Sequence, residues 1–324
     1  MAKILQINDK NRFQEAALAL NAPFTHAWQW GEILIAEGKV IERLAIEDNG
    51  KIIAIASVIY TPLIAGLKYA FCPKGPVGNL NKENLKVFLN YLKNKKMAFW
   101  RIESAEKIED VSMIKSLDIN PPHTMILDLQ KSEEDILATM HNKTRYNINL
   151  SLKKNLAVKN EKNLPVFWEL MKKTSERDGF RLHEAAHYKA ILESDFSIQL
   201  TVYSHDKAIA TMVLVGFGDT FTYLFGASDH EYRSLMAPYL LQWSAMKLAK
   251  ERGYKFYDFF GVAPNISNSD EYEYDNTHQY GGVSRFKGGF GARYVEAPGT
   301  YDVVINNFRY QLYIYLRKLR RLFA

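Results

Sequence analysis

Two stretches of this chain follow one scheme, and that repetition constrains its fold more than any other feature. Arg43 to Val58 is two β-type runs around Asn49-Gly50, a pair suited to the positive φ angles of a tight hairpin turn. Leu200 to Val215 repeats the arrangement around His205-Asp206. Each turn is short and polar, carries a lysine (Lys51, Lys207), and leads through Ile-Ala into a strand rich in β-branched residues. In the second copy a third strand, Thr220 to Phe225, follows the hairpin, and then a loop and a helix. Pro238 suits the first turn of that helix, Leu241, Ala245, Leu248 and Ala249 recur on one face, and Gly253 closes it. Tyr254 to Val262 reads as a buried strand.

Hairpin, strand, helix and strand in this order describe an α+β unit of the N-acetyltransferase type, and 324 residues have room for two. The expected fold is therefore α+β: two tandem acetyltransferase-like (GNAT) domains packed around a cleft. The join is expected near residue 130. Met125 to Leu129 reads as a strand, and Ser132-Glu133-Glu134-Asp135 opens a helix with acids in its first turn, where the helix dipole favours them. Ile136, Leu137, Met140 and Tyr146 continue that helix, and no proline- or serine-rich linker intervenes.

Composition narrows the class. With 47% hydrophobic and 24% charged residues the chain reads as an ordinary soluble protein, and its net charge of +6 favours acidic partners such as phosphates, RNA or an anionic membrane. Cys72 is the only cysteine, which excludes intramolecular disulfides and a cysteine-based zinc cluster. Its apolar neighbours predict a buried, inert thiol. Residues 1–7 lack the apolar region of a signal peptide and no apolar run reaches the ~20 residues of a membrane span, so a cytoplasmic protein is expected.

Residues 285–291 read Arg-Phe-Lys-Gly-Gly-Phe-Gly. Lys287 stands between an aromatic residue and two glycines that let backbone approach a substrate closely. A cation held there can stabilise the oxyanion of an acyl transfer.

Further segments form an ordered set with this one. They are His141-Asn142-Lys143-Thr144-Arg145-Tyr146-Asn147-Ile148, Arg177-Asp178-Gly179-Phe180, Leu224 to Ser228 with Tyr232 to Trp243, and Tyr257-Asp258-Phe259 with Gly261-Val262. Thr25 to Glu32 and Pro73 to Val77 fit the set more loosely. Together they resemble the Fem family (FemABX) of peptidoglycan-bridge aminoacyltransferases, over most of the chain. The resemblance implies that the C-terminal segment completes the first domain, giving 1–130 with 299–324 and then 131–298. It implies transfer of an amino acid from aminoacyl-tRNA to the amine of a peptidoglycan-precursor stem peptide, nucleotide- or lipid-linked. No heptad-rich segment is present, so the chain is similar to the compact members without a coiled-coil arm.

An aminoacyl ester is already activated, so neither cofactor nor metal is expected, and catalysis reduces to positioning and electrostatics. The family's catalytic pair falls on Phe286 and Lys287, with Phe286 packing against the acyl end. An acceptor rich in phosphate and carboxylate calls for Lys39, Lys74, Arg177 and Arg181, with Tyr239 donating a hydrogen bond. His183 stands where some relatives have an arginine, with His187 one turn later, so the phosphate clamp passes to Arg181 or the acceptor differs. Asp258 reads as the anchor of a nearby loop, and Arg101 and Arg145 as RNA-facing or ion-paired. The basic run Arg317 to Phe323 reads as a packed terminal helix, or as a peripheral contact with membrane or tRNA. A monomer is the default.

Two other readings remain open. One is an acetyl-CoA-type N-acyltransferase, although Met236 and Pro238 in Arg233 to Pro238 suit a pyrophosphate loop badly. The other is a non-catalytic member that binds a cell-wall precursor.

Overall fold

A computed structural model describes residues 2–106, 108, 111–268 and 271–322. The chain divides into two compact units, one of residues 1–122 with 297–324 and the other of residues 123–296.

The first unit contains β1 (Lys3–Gln6), α1 (Lys10–Ala19), α2 (Trp28–Ala36), β2 (Val40–Asp48), β3 (Lys51–Pro62), β4 (Lys68–Cys72), β5 (Val77–Gly78), α3 (Lys82–Asn94), β6 (Phe99–Ile102) and β7 (Ile114–Lys115). The second contains β8 (His123–Asp128), α4 (Glu133–Thr139), α5 (Asn142–Leu152), β9 (Leu156–Asn160), α6 (Leu164–Asp178), α7 (Ala185–Glu193), β10 (Ser197–Ser204), β11 (Lys207–Phe217), β12 (Thr220–Ser228), α8 (Ala237–Glu251), β13 (Phe256–Asp258), α9 (Gly281–Gly288) and β14 (Arg293–Glu296). The chain then returns to the first unit as β15 (Tyr301–Val304) and α10 (Asn307–Leu322).

The first sheet runs β1-β2-β3-β4-β6-β15-β7, with β5 on β3, and the second runs β14-β8-β13-β12-β11-β10-β9. Each has one parallel pair, β4 with β6 and β12 with β13, and a helix joins the two strands of each pair: α3 in one case, α8 in the other. The repeated hairpins are β2–β3 and β10–β11. Asn49 and Gly50 have φ of 48° and 78°, as their turn requires, whereas in the second turn His205 takes φ 54°.

The boundary falls at 122/123, not near 130. The strand beginning at His123 finds its backbone partners in Phe256–Asp258 and Arg293–Glu296, which places it inside the second sheet. The helix expected from Ser132 through Tyr146 is two. Ser132 caps α4 by accepting from the Asp135 N–H, but Met140 is extended (ψ 150°) and the His141 side chain caps α5. Arg145 spans the break, its guanidinium donating to the Met140 carbonyl and the Asn142 side chain. The predicted strand 254–262 is likewise cut short, because Phe260 takes φ 55°.

α8 packs Leu240, Leu241, Ala245 and Ala249 into a core with Phe221, Tyr257, Phe259 and Phe290. In the other unit Trp100 and Phe88 are fully buried, and Cys72 is buried as expected. Among the described residues no helix is long and apolar enough to cross a membrane.

Candidate active site

The site begins with a short strand. β13 pairs with β12 only at Thr220, Phe221 and Thr222, so from Tyr223 to Ser228 that edge of β12 has no strand partner among the described residues. A register shift on the opposite edge, where Leu214 faces Tyr223 and Val213 faces Phe225, re-aims the side chains there. Tyr223 is thereby folded over Gly226, where any Cβ would lie 1.9 Å from the Tyr223 hydroxyl.

Two adjoining cavities, of about 480 and 550 Å³, open along this strand and share Arg177, Ser228, Pro238 and Phe286. The larger also has Tyr223, Gly226 and Gln242 in its wall, and the smaller has Asp229, Arg233 and Tyr239. α6 is pinned to the strand end by Thr174, whose hydroxyl accepts from the Ser228 N–H at 3.0 Å. That pinning carries Arg177 to the rim. Its guanidinium makes two bonds to Asp178 (2.6 and 2.7 Å) and one to the Ser228 carbonyl (3.2 Å). Asp229 is buried, a position that would raise its pKa, yet the Lys173 ammonium at 2.8 Å and the Glu231 N–H hold its carboxyl below the usual range.

Phe286 sits edge-on to Tyr239 (ring centroids 5.1 Å) and to Phe290 (5.2 Å). Lys287, the next residue of α9, points into protein rather than into either cavity lining. It is 5% exposed, and its ammonium donates to the Phe260 and Gly261 carbonyls at 2.7 and 2.8 Å. The Tyr223 ring, which faces the larger cavity, has its centroid 5.3 Å from Nζ. Burial lowers the Lys287 pKa to about 7, against the opposing pull of the Asp258 charge. Asp258 anchors the carbonyl-bearing loop, accepting from the Phe260 N–H (2.8 Å) and from the Thr124 hydroxyl.

Two of the three glycines after Lys287, Gly289 and Gly291, make room for protein. A Cβ on Gly289 would meet Thr144 Oγ1 at 2.3 Å, and one on Gly291 would meet the Thr139 carbonyl at 2.4 Å. They let the end of α9 lie against the α4–α5 break, where the His141 N–H donates to the Gly289 carbonyl at 2.9 Å.

Of the residues singled out in the sequence, Phe286, Arg177 and Tyr239 share the cavity walls, with Lys287 one layer behind. Arg181 and His183 lie in the exposed segment after α6, outside both linings. The His183 ring joins His187 (4.6 Å) and Phe225 (6.2 Å). Lys39 and Lys74 belong to the first unit. Lys39 is exposed, and Lys74 ties the loop after β4 to the segment before β8 by donating to the Pro121 carbonyl at 2.6 Å. Tyr223, Asp229 and Gln242 went unnoticed in the sequence. Gln242 lay within the longest family segment, but Tyr223 reaches the site through a register shift that no local pattern announces.

Residues 114–197 and 194–318 match the FemAB family. The chain belongs to the FemAB family. The Lipid II:glycine glycyltransferases of Staphylococcus haemolyticus and Staphylococcus aureus are each 24% identical to it, with 90% of both chains covered. Among solved structures, FemX superposes with a TM-score of 0.80 at 20% identity, covering 96% of this chain and 99% of that one. L-PGS from Bacillus licheniformis gives 0.56 at 12% identity (97% and 98% covered), and a tandem GNAT protein from the clavulanic acid biosynthesis pathway gives 0.54 at 8% (94% and 99%). The FemAB chain thus has the tandem GNAT-like fold. Its longest described helix has 16 residues, too short for a coiled-coil arm.

Proposed function

We propose that this FemAB chain is an aminoacyltransferase that moves an amino acid from aminoacyl-tRNA to the amine of a peptidoglycan-precursor stem peptide. The observation that carries the reading is the buried ammonium of Lys287 beside a walled pair of cavities, in a chain aligned along nearly its whole length with glycyltransferases named for lipid II. Nζ has three donors as an ammonium and two are taken by carbonyls, which leaves one N–H for an oxyanion. Phe286 excludes water from the acyl end, and Tyr239 offers a hydroxyl in the adjoining wall.

Arg177 is the first candidate for the acceptor's phosphate or carboxylate, since it alone of the four cations named from the sequence lines the cavities. Arg177→Ala is expected to raise the acceptor KM about tenfold to a hundredfold, the worth of a charge-assisted bond, while sparing the donor. Lys39, Lys74, Arg181 and His183 remain candidates for outer contacts, and the same KM measurement ranks them. An unchanged acceptor KM in Arg177→Ala would remove it from that role.

Aminoacyl-tRNA affinity should fall steeply and log-linearly with salt, because phosphate contacts release counterions. The motive is the net charge of +6 and exposed cations such as Lys143. The deciding assay supplies a charged tRNA pool with nucleotide-linked and lipid-linked pentapeptide, and reads the added residue by mass spectrometry. Transfer from no charged tRNA, together with tight acetyl-CoA binding, would overturn the reading in favour of an acetyltransferase. The start of α8 argues against that outcome. Met236 is left-handed (φ 54°), its N–H is bonded to the Arg233 carbonyl, and Pro238 has no N–H to give a pyrophosphate.

A further inference from the structure

The last helix has two apolar sides, and the first unit uses only one. Tyr310, Tyr313 and Ile314 of α10 pack against Phe99 and Ala98. On the opposite side, at helical spacing, Phe308 is 79% exposed and Tyr315 59% exposed, with Leu312 half-buried between them. Single exposed apolar residues are ordinary, but a bare aromatic pair two turns apart on one helix is not. The turn at 64–66 lies beside the same packing cluster through Leu63, and it exposes Ile64 by 54%.

Charge gives this surface its partner. The 22 residues after Asp302 contain Arg309, Arg317, Lys318, Arg320 and Arg321 and no Asp or Glu. Arg317 is half-buried and Lys318 exposed, while the side chains of residues 320–322 and all of 323 and 324 lie outside the described residues. By helical spacing Arg309 and Lys318 flank the apolar stripe, whereas Arg317 follows Tyr310, Tyr313 and Ile314 on the packed side. An apolar stripe flanked by cations is the pattern of a helix lying in a membrane interface. There aromatic rings enter the headgroup boundary and Lys or Arg meet anionic lipid.

We propose that α10 docks the first unit on an anionic bilayer surface, with Phe308 and Tyr315 entering the interface and Lys318 contacting headgroup phosphates. RNA would satisfy the cations equally well, but it would leave Leu312 in water, which is why lipid is the better fit.

The test is co-sedimentation of the full chain with vesicles of phosphatidylcholine alone and of phosphatidylcholine mixed with phosphatidylglycerol. Binding is expected only with phosphatidylglycerol present, and should weaken as salt rises. Removing the flanking cation in Lys318→Ser should lower vesicle affinity by about fivefold. Phe308→Ser with Tyr315→Ser should lower it by about tenfold or more, because ring burial is lost. Both variants change exposed residues, so melting temperatures close to wild type are expected. The single change Phe308→Ser, with about a threefold loss, serves if the double variant unfolds. Equal binding to neutral vesicles, unchanged binding of all variants, or binding to uncharged tRNA with none to vesicles would each overturn the proposal. Transfer to a soluble nucleotide-linked acceptor should be unaffected by these changes, so failure of membrane docking and failure of the proposed activity are distinguishable.

Discussion

Replacing Lys287 with Met is expected to lower aminoacyl transfer about a hundredfold or more, since one preorganised oxyanion donor is worth ~3 kcal/mol. The loss should fall on kcat with KM nearly unchanged, because the interaction forms only in the transition state. Burial lowers the lysine's pKa to about 7, so pH separates two roles. If the ammonium donates to the oxyanion, wild-type transfer falls as pH rises through about 7. A rate that instead climbs through that value would make Nζ a proton acceptor, and near-wild-type turnover in Lys287→Met would remove it from the mechanism.

The same group leaves a mark on stability. An unfolded lysine titrates near 10.4 and the folded one near 7, so between those values the unfolded chain holds more protons. Wild type should therefore gain stability relative to Lys287→Met as pH rises from about 7 to 10, with a slope of up to ~1.4 kcal/mol per pH unit. Parallel denaturant titrations of the two proteins at several pH values measure it. A flat difference would mean that the ammonium is better solvated than its burial indicates.

The second large effect concerns the returning C-terminal segment. Arg101 on β6 donates to both oxygens of Asp302 on β15, at 2.7 and 2.9 Å, and both side chains are buried. Burial alone would lower the arginine's pKa, but the paired carboxylate holds it above its ordinary value. Asp302→Ala would strand a buried guanidinium, and is expected to cost ~3–5 kcal/mol of unfolding free energy. Urea unfolding monitored by tryptophan fluorescence would follow it through Trp100, the neighbour of Arg101. A loss below ~1 kcal/mol would show that water or the Tyr313 hydroxyl, which accepts from Arg101 at 3.4 Å, compensates.

Local chemistry made much of this protein legible in its sequence. Asn49-Gly50 dictates its hairpin, because both residues accept positive φ. Ser132 caps a helix through the N–H three residues on, and Pro238 and Gly253 bracket α8. The family was readable because its segments keep their order along the chain. Arg177, Tyr239 and Phe286 could be picked from those segments, and they do line the cavities.

Tertiary structure alone decided the rest. Residues 123–128 looked like the end of the first unit by position, yet a strand belongs to the sheet that pairs its backbone, and those partners lie more than a hundred residues away. Gly289 looked like room for a substrate and is instead room for the α4–α5 break. Lys287 owes its lowered pKa to burial beneath atoms of other elements, and the cavities owe their existence to β13 ending at Asp258. Sequence patterns report which conformations a residue tolerates within a few neighbours. Burial, pKa and cavity shape are sums over atoms brought together from distant segments, and only the folded chain evaluates those sums.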